Sequence, residues 1–171
     1  MYSVSAYFWA KIYSELPSSI LTPTLFGSIC YFLIGFNTQE WYKFPVFLLI
    51  LFLIYNASGG YSLILGTLFS DKQLAVTLTP VLIIPFMLFA GFFVSQDNIP
   101  FFLTPIKWIS TFRYGFQAFM INEYTGLTLE CMSAKDPTKG CNPLGDMNFS
   151  MTMMESIYAM LGIWFVTHLL A

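Results

Sequence analysis

"FPVFLLILFLIYNASGGYSLILGTLF", residues 44 to 69, contains no charged side chain. At about 1.5 Å of rise per residue, a helix of this stretch is longer than the ~30 Å hydrocarbon core of a bilayer. Backbone polar groups in lipid must find partners within their own segment, so the stretch reads as a membrane-spanning helix, tilted or kinked at one end to take up its extra length. Similar runs lie at 17–36, 74–94 and 151–171, the last being the weakest because it contains Glu155 and His168. The links "NTQEWYK" and "SDKQ" are short, so the first three spans alternate in direction.

Composition agrees with this reading. The 171 residues are 57% hydrophobic and 9% charged, against roughly a quarter charged in a soluble domain. The predicted fold class is therefore all-α, a polytopic membrane helix bundle, and the chain is expected to be part of one transmembrane domain in a multi-pass protein of the plasma membrane or an endomembrane. A net charge of −2 supplies no basic patch, and nucleic acid is excluded as a partner. There is one histidine, no carboxylate pair inside a span, no His/Cys set with metal spacing and no GxxxxGK[ST] loop. No catalytic residue, metal site or bound cofactor is expected within these residues.

Residues 1–16, "MYSVSAYFWAKIYSEL", lack a basic segment followed by a cleavage site, so they read as a cytosolic or interfacial helix rather than a signal peptide. The last run stops at Ala171 without Lys or Arg to anchor it, and the chain is expected to be a piece of a longer protein. Lys43 and Lys72 fall on opposite sides of the membrane and leave orientation tied. The polar loop "LECMSAKDPTKGCNPLGDMNFS", residues 129–150, breaks the tie. Cys131 and Cys141 in a Pro/Gly/Asn-rich setting, with the sequon at Asn148, suit an oxidising, extracytoplasmic side for 96–150. Two unpaired thiols and a chance tripeptide are the alternative. Cys30 lies within a span and reads as a small packing residue.

Inside the spans, Ser58, Ser62 and Gly66 recur every four residues and, with Asn56, predict a face that another helix can approach closely. A polar translocation surface at Asn56 is the other reading. Leu-Thr-Pro occurs at 21–23, 78–80 and 103–105 without a fixed period. Each Pro removes a backbone bond, and a neighbouring Thr hydroxyl is expected to re-satisfy the freed carbonyl. With Pro85, the third span has two potential kinks, suiting either a helix that bends in a cycle or a static bent one.

Residues 100–124 are too few to cross twice and too aromatic for a solvated loop. Trp108, Phe112, Phe116 and Phe119 mark one side at helical spacing, which predicts a helical hairpin dipping into the outer leaflet. Arg113 and Glu123 are expensive at that depth, so they either pair with each other or face a wet vestibule. Pairing is the reading adopted.

Three stretches in order, "MYSVSAYFWAKIYSELP" at 1–17, "FAGFFVSQDNIP" at 89–100 and "FRYGFQAFMINEY" at 112–124, resemble the membrane domain of the G (White) subfamily of ABC transporters. The resemblance runs over residues 1 to about 131. It implies a half-transporter with an upstream nucleotide-binding domain that binds ATP and Mg, a six-helix membrane domain of which these spans are the third to sixth, and a second half-transporter completing a homo- or heterodimer in membrane lipid. It also implies that residues 1–8 follow a coupling helix, where many relatives carry Arg and this chain has Ser3. Under the resemblance Cys131 and Cys141 match an intrachain bridge of the external loop. Phe92 and Phe93, after Ala90-Gly91, match a bulky apolar pair that plugs the route outward, the alternative being two rings that anchor the helix in lipid. Ile83, Ile84 and Met87 would line the central cavity, suiting lipidic or amphipathic cargo such as a sterol, pigment precursor or drug-like molecule.

The expected function is thus the membrane part of an ATP-driven exporter. A channel or ion-coupled carrier is the alternative, and it normally places ionisable residues at mid-membrane, which the first three spans lack.

Overall fold

The computed structural model describes residues 3–37, 40–69, 71–88, 90, 108–127 and 151–170. Among them are five helices and no strand: α1 (Val4–Ile34), α2 (Lys43–Leu68), α3 (Lys72–Leu88), α4 (Thr111–Tyr124) and α5 (Met153–Leu170). Apolar stretches long enough to cross a bilayer occupy Trp9–Ile34, Lys43–Leu68 and Met153–Leu170, and α3 contributes the shorter apolar stretch Gln73–Leu88. Their large side chains point outward: Leu33, Phe26, Val76, Leu169 and Tyr158 are all exposed. An apolar exterior of this kind is what lipid, rather than water, favours.

α1 runs as one helix across the expected boundary at residue 17, continuing through Pro17 and Pro23. The hydroxyls near the prolines do not take the expected partners. A proline frees the carbonyl four residues before it, which for Pro23 and Pro80 is that of Ser19 and Val76. Thr24 instead donates to the Ile20 carbonyl and Thr79 to that of Ala75, each one residue away from the freed group. A Thr Oγ reaches back three or four residues, so Thr24, which follows its proline, cannot reach Ser19, whereas Thr79 has Val76 three residues back and bonds Ala75, four back, instead.

The ends of the helices follow local chemistry. Gly35 stops α1 in the left-handed region, φ 76°, with its N–H on the Tyr31 carbonyl. Asp71 caps the start of α3 by accepting from the Gln73 N–H at 2.9 Å. Before α5, Thr152 and Glu155 form a reciprocal capping box: Glu155 Oε2 accepts from the Thr152 N–H at 2.7 Å and Thr152 Oγ1 accepts from the Glu155 N–H at 3.4 Å. Glu155, which weakens the fourth run as a span, is thus the residue that starts its helix.

The core joins α2, α4 and α5 through Ile50, Leu53, Tyr114, Ala118 and Met160. α1 packs mainly along α2, where Gly27 admits Leu51 and Leu48. At the α1–α2 turn a cluster of rings, Tyr31, Phe36, Phe44, Phe47 and Phe119, meets at centroid distances of 5.0 to 5.6 Å. Offset and edge contacts at this range add about 0.5–1.5 kcal/mol per pair beyond burial.

Candidate functional site

α4 is the described half of the expected hairpin, and residues 96–107 lie outside the described residues. Ser110, in extended geometry, separates it from helical residues 108 and 109. Its inward face is not the aromatic one. Thr111, Arg113, Tyr114, Gly115, Gln117, Ala118 and Asn122 are buried, while Phe112, Phe116 and Phe119 are half-buried and Trp108 is exposed. The polar groups turn inward because each finds a partner there, which a lipid-facing position would deny it. Thr111 Oγ1 donates to the Tyr61 hydroxyl at 3.1 Å, Tyr61 donates to the Ile109 carbonyl, Gln117 Nε2 donates to the Met151 carbonyl, and Asn122 Nδ2 donates to the Lys43 carbonyl at 3.1 Å.

Arg113 and Glu123 do not pair with each other. They stand near opposite ends of α4, ten residues and so about 15 Å apart along the helix axis. The Arg113 guanidinium is 1% exposed and lies 5.1 Å from the Trp108 ring centroid and 5.5 Å from that of Tyr114. Burial lowers its pKa from the ordinary value and Tyr114 opposes the shift. Glu123 Oε1 accepts from the Asn37 N–H at 2.8 Å, beyond the end of α1.

A residue that the sequence presents as a mere loop charge holds this end together. Lys43 is 1% exposed, and its Nζ donates to the Thr125 carbonyl at 2.8 Å and to the Glu123 carbonyl at 3.4 Å, with Glu40 at 3.9 Å. An ammonium on the last carbonyls of α4 meets the negative end of the helix dipole. No local signal marks Lys43 for burial, because its partners are some eighty residues away in sequence.

The face of Asn56, Ser58, Ser62 and Gly66 does not carry a tight helix contact within this chain. Ser62 and Gly66 are exposed, and a Cβ added at Gly66 meets nothing within 4 Å. Close approach happens one face over, along Lys43, Phe47, Ile50, Leu53, Ala57 and Gly60. A Cβ at Gly60 would collide with Thr167 of α5, and one at Gly115 of α4 would lie 2.5 Å from Ile54 Cδ1. Asn56, Ser58 and Ser62 instead line a cavity of about 440 Å³ between α1, α2 and α5, with Glu15, Ser19, Trp164 and His168.

Among the described residues α3 touches α2 and the start of α4. Phe86 stacks on Tyr61 at 6.0 Å, and the Ser110 hydroxyl donates to the Phe86 carbonyl at 2.9 Å. Ile83, Ile84 and Met87 stand 38%, 54% and 48% exposed. Phe92, Phe93, Cys131, Cys141 and Asn148 lie outside the described residues. Cys30 is a free thiol, and among the described residues no cluster of His, Cys, Asp or Glu could hold a metal ion.

Helices with lipid-facing exteriors, an inward polar face on a short non-spanning helix and capped ends define an integral, multi-pass α-helical membrane protein. The chain belongs to the ABC-2 type transporter family, whose pattern it matches over residues 1–124. Its relatives carry the G-family and White names. It is 35% identical to the ABC transporter ATP-binding protein/permease wht-1 of Caenorhabditis elegans, over 78% of this chain and 20% of that protein. It is 29% identical to Protein white of Drosophila melanogaster, over 98% of this chain and 25% of that one, and 38% identical to ABC transporter G family member 22 of Arabidopsis thaliana, over 67% and 15%. The chain thus spans a quarter or less of the length of these relatives.

Proposed function

We propose that the full-length protein is an ATP-driven exporter in which this chain supplies part of the membrane path, and that its cargo is amphipathic or lipidic. ATP and Mg bind on an upstream nucleotide-binding domain, and a second half-transporter closes the path on the other side. The observation that carries the cargo reading is the loosely attached α3. Among the described residues one stacked ring and one hydroxyl bond join it to α2 and to Ser110, while Ile83, Ile84 and Met87 present an apolar, adaptable surface that no described helix covers. The family membership supports coupling to ATP.

The test is transport by the full-length protein in sealed proteoliposomes with an amphipathic fluorescent cargo. Transport requires ATP and Mg, and the pair Ile84→Ser with Met87→Ser, on the exposed face, lowers cargo-stimulated ATP hydrolysis while leaving the melting temperature unchanged. Cargo movement driven by an ion gradient without ATP would overturn the reading in favour of an ion-coupled carrier. Undiminished stimulation in the double variant would remove α3 from the path.

A further inference from the structure

Ser110 stands at the N-cap of α4, yet its hydroxyl caps nothing in α4. It is fully buried and donates instead to the Phe86 carbonyl of α3 at 2.9 Å. An N-cap serine ordinarily accepts from the second or third amide of its own helix, here Phe112 or Arg113. This serine is spent on a neighbouring helix.

The α3 side shows a matching departure. In an unbroken α-helix the Phe86 carbonyl accepts from the Ala90 N–H, four residues on. That N–H bonds the Met87 carbonyl at 3.2 Å instead, in a tightened last turn. The Phe86 carbonyl is thereby left for Ser110, and it has a substitute donor within its own helix whenever α3 moves away.

One side of the contact is anchored and the other is hinged. Thr111 Oγ1 donates to the Tyr61 hydroxyl at 3.1 Å and Tyr61 donates to the Ile109 carbonyl, so the residues on both sides of Ser110 are tied to α2. α2 is itself locked to α4 and α5 through Ile50, Leu53, Tyr114 and Met160. On the α3 side, Pro85 directly precedes Phe86 and gives no N–H to the Val81 carbonyl, which weakens the helix just before the contact. The Phe86 ring lies on that of Tyr61 with planes 17° from parallel, a contact that can slide apart without disturbing the core.

We infer that Ser110 and Phe86 form a latch: α3 docks on the anchored start of α4 through this bond and the Tyr61 ring, and on release its end pivots at Pro85. Met87 lies beyond the pivot, whereas Ile83 and Ile84 lie before it, so release changes the shape of the apolar surface they share. The use of the latch in transport rests on the proposed role of α3 in the cargo path.

The experiment places a trifluoromethyl thiol label at Leu88→Cys, an exposed position at the end of α3, in the full-length protein with its other reactive thiols replaced by serine, in nanodiscs. A second sample carries the label at Leu49→Cys, exposed on α2, as a control. Fluorine NMR of the first label reports docked and released α3. Ser110→Ala raises the released-to-docked ratio about fivefold, the equivalent of one net hydrogen bond, while Ser110→Thr, which keeps the hydroxyl, stays at the original ratio. Phe86→Leu, which leaves α4 untouched, shifts the ratio in the same direction and decides the matter if Ser110→Ala does not fold. The Leu49 label stays unmoved throughout. An unchanged ratio in Ser110→Ala or in Phe86→Leu would overturn the latch, and so would equal movement of both labels, since the whole bundle would then have loosened. Basal ATP hydrolysis of Ser110→Ala separates the two readings: a rise ties release to the cargo path, and unchanged hydrolysis with a shifted ratio leaves the latch standing and takes α3 out of that path.

Discussion

The ammonium of Lys43, at the start of α2, donates to the Thr125 carbonyl just past the end of α4 at 2.8 Å. This contact, with Asn122 on the Lys43 carbonyl and Glu123 on the Asn37 N–H, ties the α1–α2 turn to the short helix that lies between α2 and α5. Lys43→Met keeps the bulk of the stem but leaves the carbonyls without their cation. The expected loss is about 2 kcal/mol, within the 1.5–3 kcal/mol range for a hydrogen bond to a charged group. Glu123→Gln retains an oxygen for Asn37 and loses less. Thermal melts of the purified full-length protein decide: equal, unshifted transitions in both variants would mean that the contact does not hold α4.

Glycine positions on α2 separate by what they face. Gly60→Ala drives a methyl group into Thr167 of α5 and is expected to destabilise by about 1–3 kcal/mol through overpacking. Gly66→Ala meets nothing within 4 Å and gains helix propensity, up to ~1 kcal/mol. The two melting temperatures therefore move in opposite directions. A shift of the same sign and size would show that α2 and α5 do not close on Gly60.

Thr152 and Glu155 act as one unit at the start of α5. Alanine at either position is expected to cost about 1 kcal/mol, and alanine at both little more than one alone, because each half of the box needs the other. A double-mutant cycle on thermal stability checks this. Fully additive losses would reduce the box to two independent contacts.

If Phe92 and Phe93 plug the outward route, as the family resemblance implies, alanine at both leaves folding intact and raises basal ATP hydrolysis or cargo leak in reconstituted vesicles. Such a seal would be weak enough to open in each cycle, since ring pairs contribute roughly 0.5–1.5 kcal/mol beyond burial. Unchanged leak, hydrolysis and transport would return both rings to the lipid.

A bridge between Cys131 and Cys141 on the outer side predicts that an impermeant thiol reagent labels intact cells only after reduction. In the chain-entropy estimate a loop of this size is stabilised by about 3 kcal/mol. Labelling confined to permeabilised cells would place the loop on the other side.

The charge-free run 44–69 determined by itself that the chain lies in a membrane and is helical there, because lipid leaves a backbone few other choices. Two helix ends differ from the sequence reading: the run 17–36 passes through Gly35, which ends α1, and Glu155, a weakness of the fourth run by hydropathy, caps its helix with Thr152. The sidedness of α4 was not legible. Its rings at 108, 112, 116 and 119 have the spacing of a buried stripe in water, yet lipid removes the drive to bury them and leaves hydrogen bonding to choose the inward face. Tertiary structure alone decided the partners of Arg113, Glu123 and Lys43, and left Asn56, Ser58 and Ser62 lining a cavity rather than packed on another helix of this chain. A side chain's spacing along one helix states which residues share a face; only the arrival of α5 at Gly60, where there is no Cβ to resist it, settles which face is closed and which is left open.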